Sequence, residues 1–248
     1  MAGHSKWANI KHQKAKQDAK KGKVFTKLIR EITVAAKQSG EPNANPRLRA
    51  AMDKALSFNM TRDTIDKAIK RGVGGLEDQD LEEIRYEGYG PSGVAIIVDC
   101  MTNNRKRTVS EVRHLFTKFG GNLGTDGSVA YLFSQAGLII CPNTANENII
   151  MEMALEFEAE DVNQADSANG GQFEIKTTAS QFNPLKQALE TAKQPIEHAE
   201  LTWLASTQVP ISQGDTAEKL MKLIDGLEDL DDVQAVYSNA EFDESCFT

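Results

Sequence analysis

"GVAIIVDCM" at residues 93–101, followed by "TVSEVRHLFTKFGG" at 108–121 and "SVAYLF" at 128–133, decides the fold. The first stretch is a continuous apolar run, rich in β-branched residues and too short for a helix, and so reads as a buried strand. In the second, Val109, Val112, Leu115, Phe116 and Phe119 recur at helical spacing ahead of a Gly-Gly stop. The third reads as another strand. Further on, "TAEKLMKLIDGLEDL" (216–230) has helical spacing and "VQAVYSN" (233–239) is strand-like. Strand–helix–strand followed by helix–strand is most of a ferredoxin-like unit.

The chain between those parts repeats the theme. It holds "LIICPN" (138–143), a helix over 146–158, strands at "DVNQ" (161–164) and "QFEIKT" (172–177), a helix over 181–192, and the strand "LTWLAS" (201–206). That order is βαββαβ, so the middle reads as one domain inserted into another of similar form.

Ahead of these lies a different pattern. On a helical wheel for residues 16–37, Lys16, Lys20, Lys23, Lys27 and Arg30 step by four and three and form one stripe. Phe25, Leu28, Ile29, Ile32 and Ala36 fall on the opposite side. Asn45-Pro46 reads as an N-cap followed by proline at the first helical position, with Leu48, Ala51, Met52 and Ala55 as the apolar face. Thr61 caps a third helix that carries Ile65, Ala68 and Ile69, with Gly72 as its stop. The predicted fold is α+β: an N-terminal three-helix domain followed by two ferredoxin-like α/β domains, one inserted into the other. The predicted domains are a basic arm and three-helix domain over 1–75, a split α/β domain at 82–135 plus 207–248, and the inserted domain at 136–206.

Charge divides along the same line. Residues 1–75 hold 17 Lys and Arg against 6 Asp and Glu, a balance of +11, while the remaining residues hold 11 bases and 30 acids, a balance of −19. The opening "MAGHSKWANIKHQKAKQDAKKGK" (1–23) carries seven lysines and one acid, Asp18. An arm of this kind suits a polyanion, and the acidic remainder is repelled by one. Lys6, Lys11, Lys14, Lys16, Lys20, Lys21, Lys23, Lys27 and Arg30 are the candidate phosphate contacts, acting by charge and shape with little base readout. Trp7 either stacks on a base or packs onto the helical domain.

Signals for catalysis are missing from the sequence. It contains neither a G-x-x-x-x-G-K-[ST] nor a G-x-G-x-x-G motif. "GGNLGTDGS" (120–128) follows a helix and precedes a strand, the wrong order for a phosphate cradle, and reads as a helix cap with a turn. His4, His12, His114 and His198 lack metal-ligand spacing, and Cys100, Cys141 and Cys246 form neither a zinc pattern nor a disulfide framework. The expectation is a non-enzyme with no cofactor, metal or small-molecule substrate. No apolar run is long enough to span a membrane, and the N-terminus resembles neither a secretory signal nor an Arg-rich presequence, so the expected location is the cytoplasm. "YEGYGPSG" (86–93) is either a linker-to-strand turn or, through Tyr86 and Tyr89, a docking surface for a basic protein of the ribosome or transcription machinery.

One resemblance covers nearly the whole chain. "MAGHSKWANIKHQKAKQDAKKGKVFTKLIREITVAAK", "NPRLRAAMDKALSFNM", "DTIDKAIKRGVGG", "YEGYGPSGVAIIV", "NRKRTVSEVRHLFTKFGGNLGTDGSVAYLF" and "LDDVQAVYSNAEF" are similar to the YebC/PmpR family. That family includes relatives of the mitochondrial translational activator of cytochrome c oxidase subunit I. Asn103, where Asp is expected, and Thr61, where Pro often stands, are small departures. The resemblance implies a helical domain followed by two α/β domains, one interrupting the other. It also implies nucleic-acid contact by His4, Lys6, Trp7, Lys11, His12, Lys14, Lys20, Lys21 and Lys27. Family members are described as DNA-binding transcriptional regulators, others as translation factors at the ribosome. DNA and ribosomal RNA therefore both stand as candidate partners.

Overall fold

The structure, a computed structural model, describes residues 21–74, 81–164, 171–212, 214–243 and 246, and of Lys21 the backbone only. The described residues divide into two compact units. One takes those up to Ala130 and returns at Gly214–Ser238; the other takes those from Tyr131 to Ser212 and from Asn239 on.

In the first unit, helices α1 (Lys21–Gln38), α2 (Pro46–Ser57) and α3 (Arg62–Val73) close on one core. Leu28, Ile32, Ala35 and Ala36 of α1 meet Leu48, Ala51 and Ala55 of α2 and Ile65 and Ala68 of α3. The caps fall where the sequence places them. Asn45 Oδ1 accepts from the Leu48 amide at 3.0 Å, while its Nδ2 donates to the carbonyls of Ala35 and Ser39, both at 2.8 Å. One buried side chain thus starts α2 and satisfies orphan carbonyls at the end of α1. Thr61 Oγ1 accepts from the Thr64 amide and caps α3. Gly72 is not the stop that the sequence suggests, because α3 continues to Val73 and Gly74 caps it. Gly72 serves close packing instead: a Cβ there would stand 2.3 Å from the Thr33 carbonyl oxygen of α1.

The same unit contains a four-stranded antiparallel sheet of order β3-β1-β2-β9. Its strands are β1 (Glu82–Tyr89), β2 (Ala95–Thr102), β3 (Asn122–Leu123) and β9 (Val233–Ser238), the last numbered in chain order. Strands β1 and β2 form a hairpin in which Tyr86 lies opposite Val98. Its loop uses left-handed backbone at Ser92 and Gly93. Helices α4 (Arg105–Lys118) and α7 (Asp215–Glu228) pack on one face. A Cβ on Gly88 would meet the Phe116 ring of α4, and one on Gly90 would meet Leu220 of α7.

The second unit carries β4 (Phe133–Cys141), α5 (Glu147–Glu156), β5 (Asp161–Gln164), β6 (Phe173–Thr178), α6 (Ala179–Thr191) and β7 (His198–Ala205). Its antiparallel order β5-β6-β4-β7 is that of a ferredoxin-like βαββαβ sheet. Ile139, Cys141, Ile150, Ile175, Leu185 and Leu189 form its core under the two helices. A short parallel pair, β8 (Val209–Ile211) with β10 (Ala240–Phe242), completes this unit.

The fold is therefore α+β, a helical domain with two α/β domains, one interrupting the other. Two further local expectations change. "SVAYLF" is not a strand of the split domain: Ala130–Leu132 is a 3-10 turn and Phe133 begins β4. The first strand of the split sheet is β1, which lies where the sequence suggested a linker and a turn. Glu87 and Gly88 interrupt its apolar alternation, and only the folded surroundings give Glu87 its partners.

Candidate nucleic-acid interface

Of the predicted phosphate contacts, His4, Lys6, Trp7, Lys11, His12, Lys14, Lys16 and Lys20 lie outside the described residues, and Lys21 contributes backbone to the start of α1. Lys23, Lys27 and Arg30 are well placed, and all three turn toward the split α/β domain. The Lys23 ammonium donates to the Asp229 carbonyl oxygen at 2.7 Å, with the Asp229 carboxylate 3.7 Å away. Lys27 Nζ donates to the Glu228 carbonyl oxygen at 3.0 Å. Glu228 ends α7 and Asp229 caps it. Two ammonium groups therefore sit at the negative end of a helix whose own last turn carries no base. Burial pushes the Lys27 pKa down, against the pull of Glu228.

Arg30 reaches further in. Its guanidinium donates to Asp232 Oδ1 at 3.1 Å, to the Met101 carbonyl oxygen at 3.3 Å and to the Asp231 carbonyl oxygen. Asp232 is a buried hub whose Oδ2 accepts from Arg107 Nη2 at 2.7 Å, Thr108 Oγ1 at 2.7 Å and Thr102 Oγ1 at 3.0 Å. Burial alone would raise its pKa, but the hydrogen bonds from Arg107, Thr108 and Thr102 outweigh it and hold the carboxyl below its ordinary value. Around this hub opens a cleft of about 600 Å³, lined by Lys23 and Arg30 of α1, Asn103, Arg107 and Glu111 at the start of α4, and the 229–232 turn. Lys23, Lys27 and Arg30, the described part of the predicted stripe, carry an intramolecular duty that the wheel alone did not indicate. Their acceptors, mostly backbone carbonyls about 200 residues away, have no signature in the sequence.

A further connection from the helical domain to the sheet is ionic. Arg47 pairs with Glu83 of β1 and, at 3.1 Å, with Glu31. The hydrogen bonds of Arg47 hold the Glu83 carboxyl below its usual range.

Tyr86 and Tyr89 do not form an exposed docking pair. Tyr86 is 8% exposed within β1, and its hydroxyl donates to the Arg105 carbonyl oxygen at 3.4 Å. The Tyr89 hydroxyl donates to the Ser128 carbonyl oxygen at 2.8 Å. Both rings are framework residues, because the stretch containing them is a central strand.

Glu87, between them, explains the glycine-rich loop. Its buried carboxylate accepts from the amides of Gly127 (2.8 Å), Val129 (2.8 Å) and Ala130 (2.7 Å). Burial raises its pKa, but these three amides and Arg85 prevail and leave it below the ordinary value. The amide cluster that could have held a phosphate is thus filled by the chain's own carboxylate. The start of the loop is the helix cap that the sequence indicates: Gly120, at φ +82°, donates to Thr117, and Gly121 donates to Phe116 at 2.7 Å.

Among the described residues, no group of three or more His, Cys, Asp or Glu is arranged to hold a metal. No described helix is long and apolar enough to cross a membrane.

Comparison with known proteins agrees with this architecture. Residues 5–75 match the family described as TACO1/YebC protein N-terminal domain, and residues 81–240 match TACO1/YebC second and third domain. A protein of Coxiella burnetii named probable transcriptional regulatory protein is 58% identical over 245 residues, covering 98% of this chain and 99% of the relative. A protein of the same name from Hahella chejuensis is 58% identical over 97% of this chain and 96% of its own length. Among solved structures, a conserved hypothetical protein from Aquifex aeolicus is 47% identical with a TM-score of 0.83, over 97% of this chain and 98% of that one. On these matches the chain belongs to the TACO1/YebC family.

Proposed function

We propose that this protein is a non-enzymatic regulator of gene expression that binds nucleic acid through its lysine-rich N-terminal arm. The observation that carries this reading is the charge division: +11 over residues 1–75 against −19 over the rest. An acidic body repels a phosphate backbone and leaves the arm to make first contact. The names of the Coxiella and Hahella relatives support transcription as the process, and DNA is the polyanion that such a process would offer the arm.

A second reading, a translation factor on ribosomal RNA, is favoured by α3. In a helix-turn-helix its first residues would enter the major groove, yet Asp63 stands there, exposed and paired with Lys67 at 2.6 Å. A carboxylate at that point opposes entry among phosphates, so binding by charge and shape suits this chain better than base reading.

Deletion of residues 1–20 tests the proposal. With about six phosphate contacts, log affinity of the full chain falls against log salt with a slope near −5 on duplex DNA and near −4 on single strands. The deleted form should lose most affinity while the helical core stays folded. Retained affinity would overturn the assignment to the arm. Gradient sedimentation of lysate decides between the partners, according to whether the protein travels with ribosomes or with DNA.

A further inference from the structure

We infer that the cationic face of α1 is a nucleic-acid surface held closed by the chain's own acidic turn at 228–232, which a bound strand displaces to reach Lys23, Lys27 and Arg30; this rests on the nucleic-acid reading above. Of the five residues in that turn, Glu228, Asp229, Asp231 and Asp232 are acids. The turn also carries the C-terminal end of α7, whose last carbonyls form the negative pole of the helix. Negative charge and oxygen acceptors, the two things a phosphate backbone offers, are thus supplied from within the chain.

The three cations meet the turn as they would meet a strand. Lys23 Nζ reaches the Asp229 carbonyl oxygen at 2.7 Å and its carboxylate at 3.7 Å, Lys27 Nζ the Glu228 carbonyl oxygen at 3.0 Å, and Arg30 the Asp232 carboxylate at 3.1 Å. On the helical wheel they fall within about 60° of one another, opposite Leu28, Ile32 and Ala36. From Lys23 to Arg30 the stripe rises about 10 Å along α1, the axial length of about three phosphates on one strand of a duplex.

Three features make the turn displaceable. First, the core of the helical domain draws only on residues between Val24 and Ile69, so the bundle stays closed when its contacts with the sheet open. Those contacts are polar: beside the three above, Arg47 pairs with Glu83, and Lys37 donates to the Leu81 carbonyl oxygen at 3.3 Å. Half-exposed pairs such as Lys23 with Asp229 contribute little and weaken with salt. Second, Asp232 keeps Arg107, Thr102 and Thr108 when Arg30 leaves, so no buried charge is stranded. Third, burial is the largest influence on Lys27 and disfavours its charged form, so its ammonium regains hydration at an exposed phosphate.

The test uses the full chain with E228Q/D229N/D231N, which removes three charges from the turn and leaves Asp232 in place. The control is E152Q/E156Q/E158Q, which removes three charges at exposed positions in and just after α5. Fluorescent duplex DNA and single-stranded RNA oligonucleotides are the probes, titrated at one fixed salt concentration. The turn variant should bind at least about fivefold tighter than the unmodified chain. The control relieves the same long-range repulsion and should gain less. Adding K23Q/K27Q to the turn variant should cancel its extra gain, and in the unmodified chain hydrogen exchange at 228–232 should quicken once an oligonucleotide is bound. Equal gains in turn variant and control, or an extra gain that survives K23Q/K27Q, would reduce the effect to net charge and overturn the inference. Unchanged or slower exchange at 228–232 in the bound chain would do the same, because the turn would then be a fixed clamp between the domains. If neither the unmodified chain nor the turn variant binds either probe, the nucleic-acid reading falls and the inference falls with it.

Discussion

Arg30 on α1 and Asp232, which follows α7, are 202 positions apart in sequence and 3.1 Å apart in space. Their contact joins the helical domain to the split sheet, and Arg107 and two threonine hydroxyls converge on the same carboxylate. Arg30→Ala and Asp232→Asn should therefore be non-additive, with a coupling of about 0.5–3 kcal/mol in urea melts of the four proteins. Additive losses would mean that the contact carries no energy of its own. Arg30→Ala should also speed hydrogen exchange at the junction of α1 with the 229–232 turn.

Glu87→Gln replaces one acceptor oxygen by a donor that faces backbone amides already aimed at it. At least one of the amides of Gly127, Val129 and Ala130 is then left without its acceptor. The expected loss is about 1–3 kcal/mol, with the 120–130 loop becoming the first site of proteolytic nicking. Wild-type melting and digestion would show that the loop is held by other means.

Acid should undo both carboxylate clusters. Asp232 and Glu87 are held below their ordinary values of 3.8 and 4.5, so each contributes stability that is fully present above those values. That contribution fades as pH falls through the lower, folded-state pKa of each, since the unfolded chain binds the protons first. Melting followed from pH 7 down to pH 2 should show a steep acid limb, and Asp232→Asn and Glu87→Gln should each flatten it. An acid limb unchanged in both variants would place the sensitivity elsewhere.

Two substitutions in the helical domain separate cavity from clash. Leu28 is 4% exposed in the core, so Leu28→Ala should cost about 2–5 kcal/mol. Gly72→Ala improves intrinsic helix propensity by about 1 kcal/mol. Even so, it forces a methyl group against the Thr33 carbonyl and should end as a net loss of about 1–3 kcal/mol. A stabilised Gly72→Ala protein would show that α1 and α3 can separate at little cost.

What could be read from the residues followed the range of each interaction. Asn45, Thr61 and the Leu28–Ile32 face act within one or two helical turns, and their patterns are local. The inserted βαββαβ order was legible because β4 runs apolar by itself and β6 alternates, which left the short polar β5 to be placed by its position between α5 and β6. Strand β1 was not, since Glu87 is a tolerable strand residue only when amides 40 and more positions onward receive its carboxylate. The cationic stripe was visible while its destination was not, because Lys23 and Lys27 donate to main-chain oxygens that any residue would supply.

The insertion also orders events in time. Strand β2 takes β1 on one edge, but its other neighbour, β9, begins about 130 residues after β2 ends. At ribosomal speeds of roughly 5–20 residues per second, the nascent chain carries an unfinished sheet edge for about 6–26 seconds. The anchor for α1 is made equally late, since the acceptors of Lys23, Lys27 and Arg30 lie largely in residues 228–232. During synthesis the three-helix bundle can close and the inserted domain can complete its own four strands. The basic helix then remains undocked until the 228–232 turn emerges, so a chain halted before that turn displays Lys23, Lys27 and Arg30 to whatever polyanion is nearest.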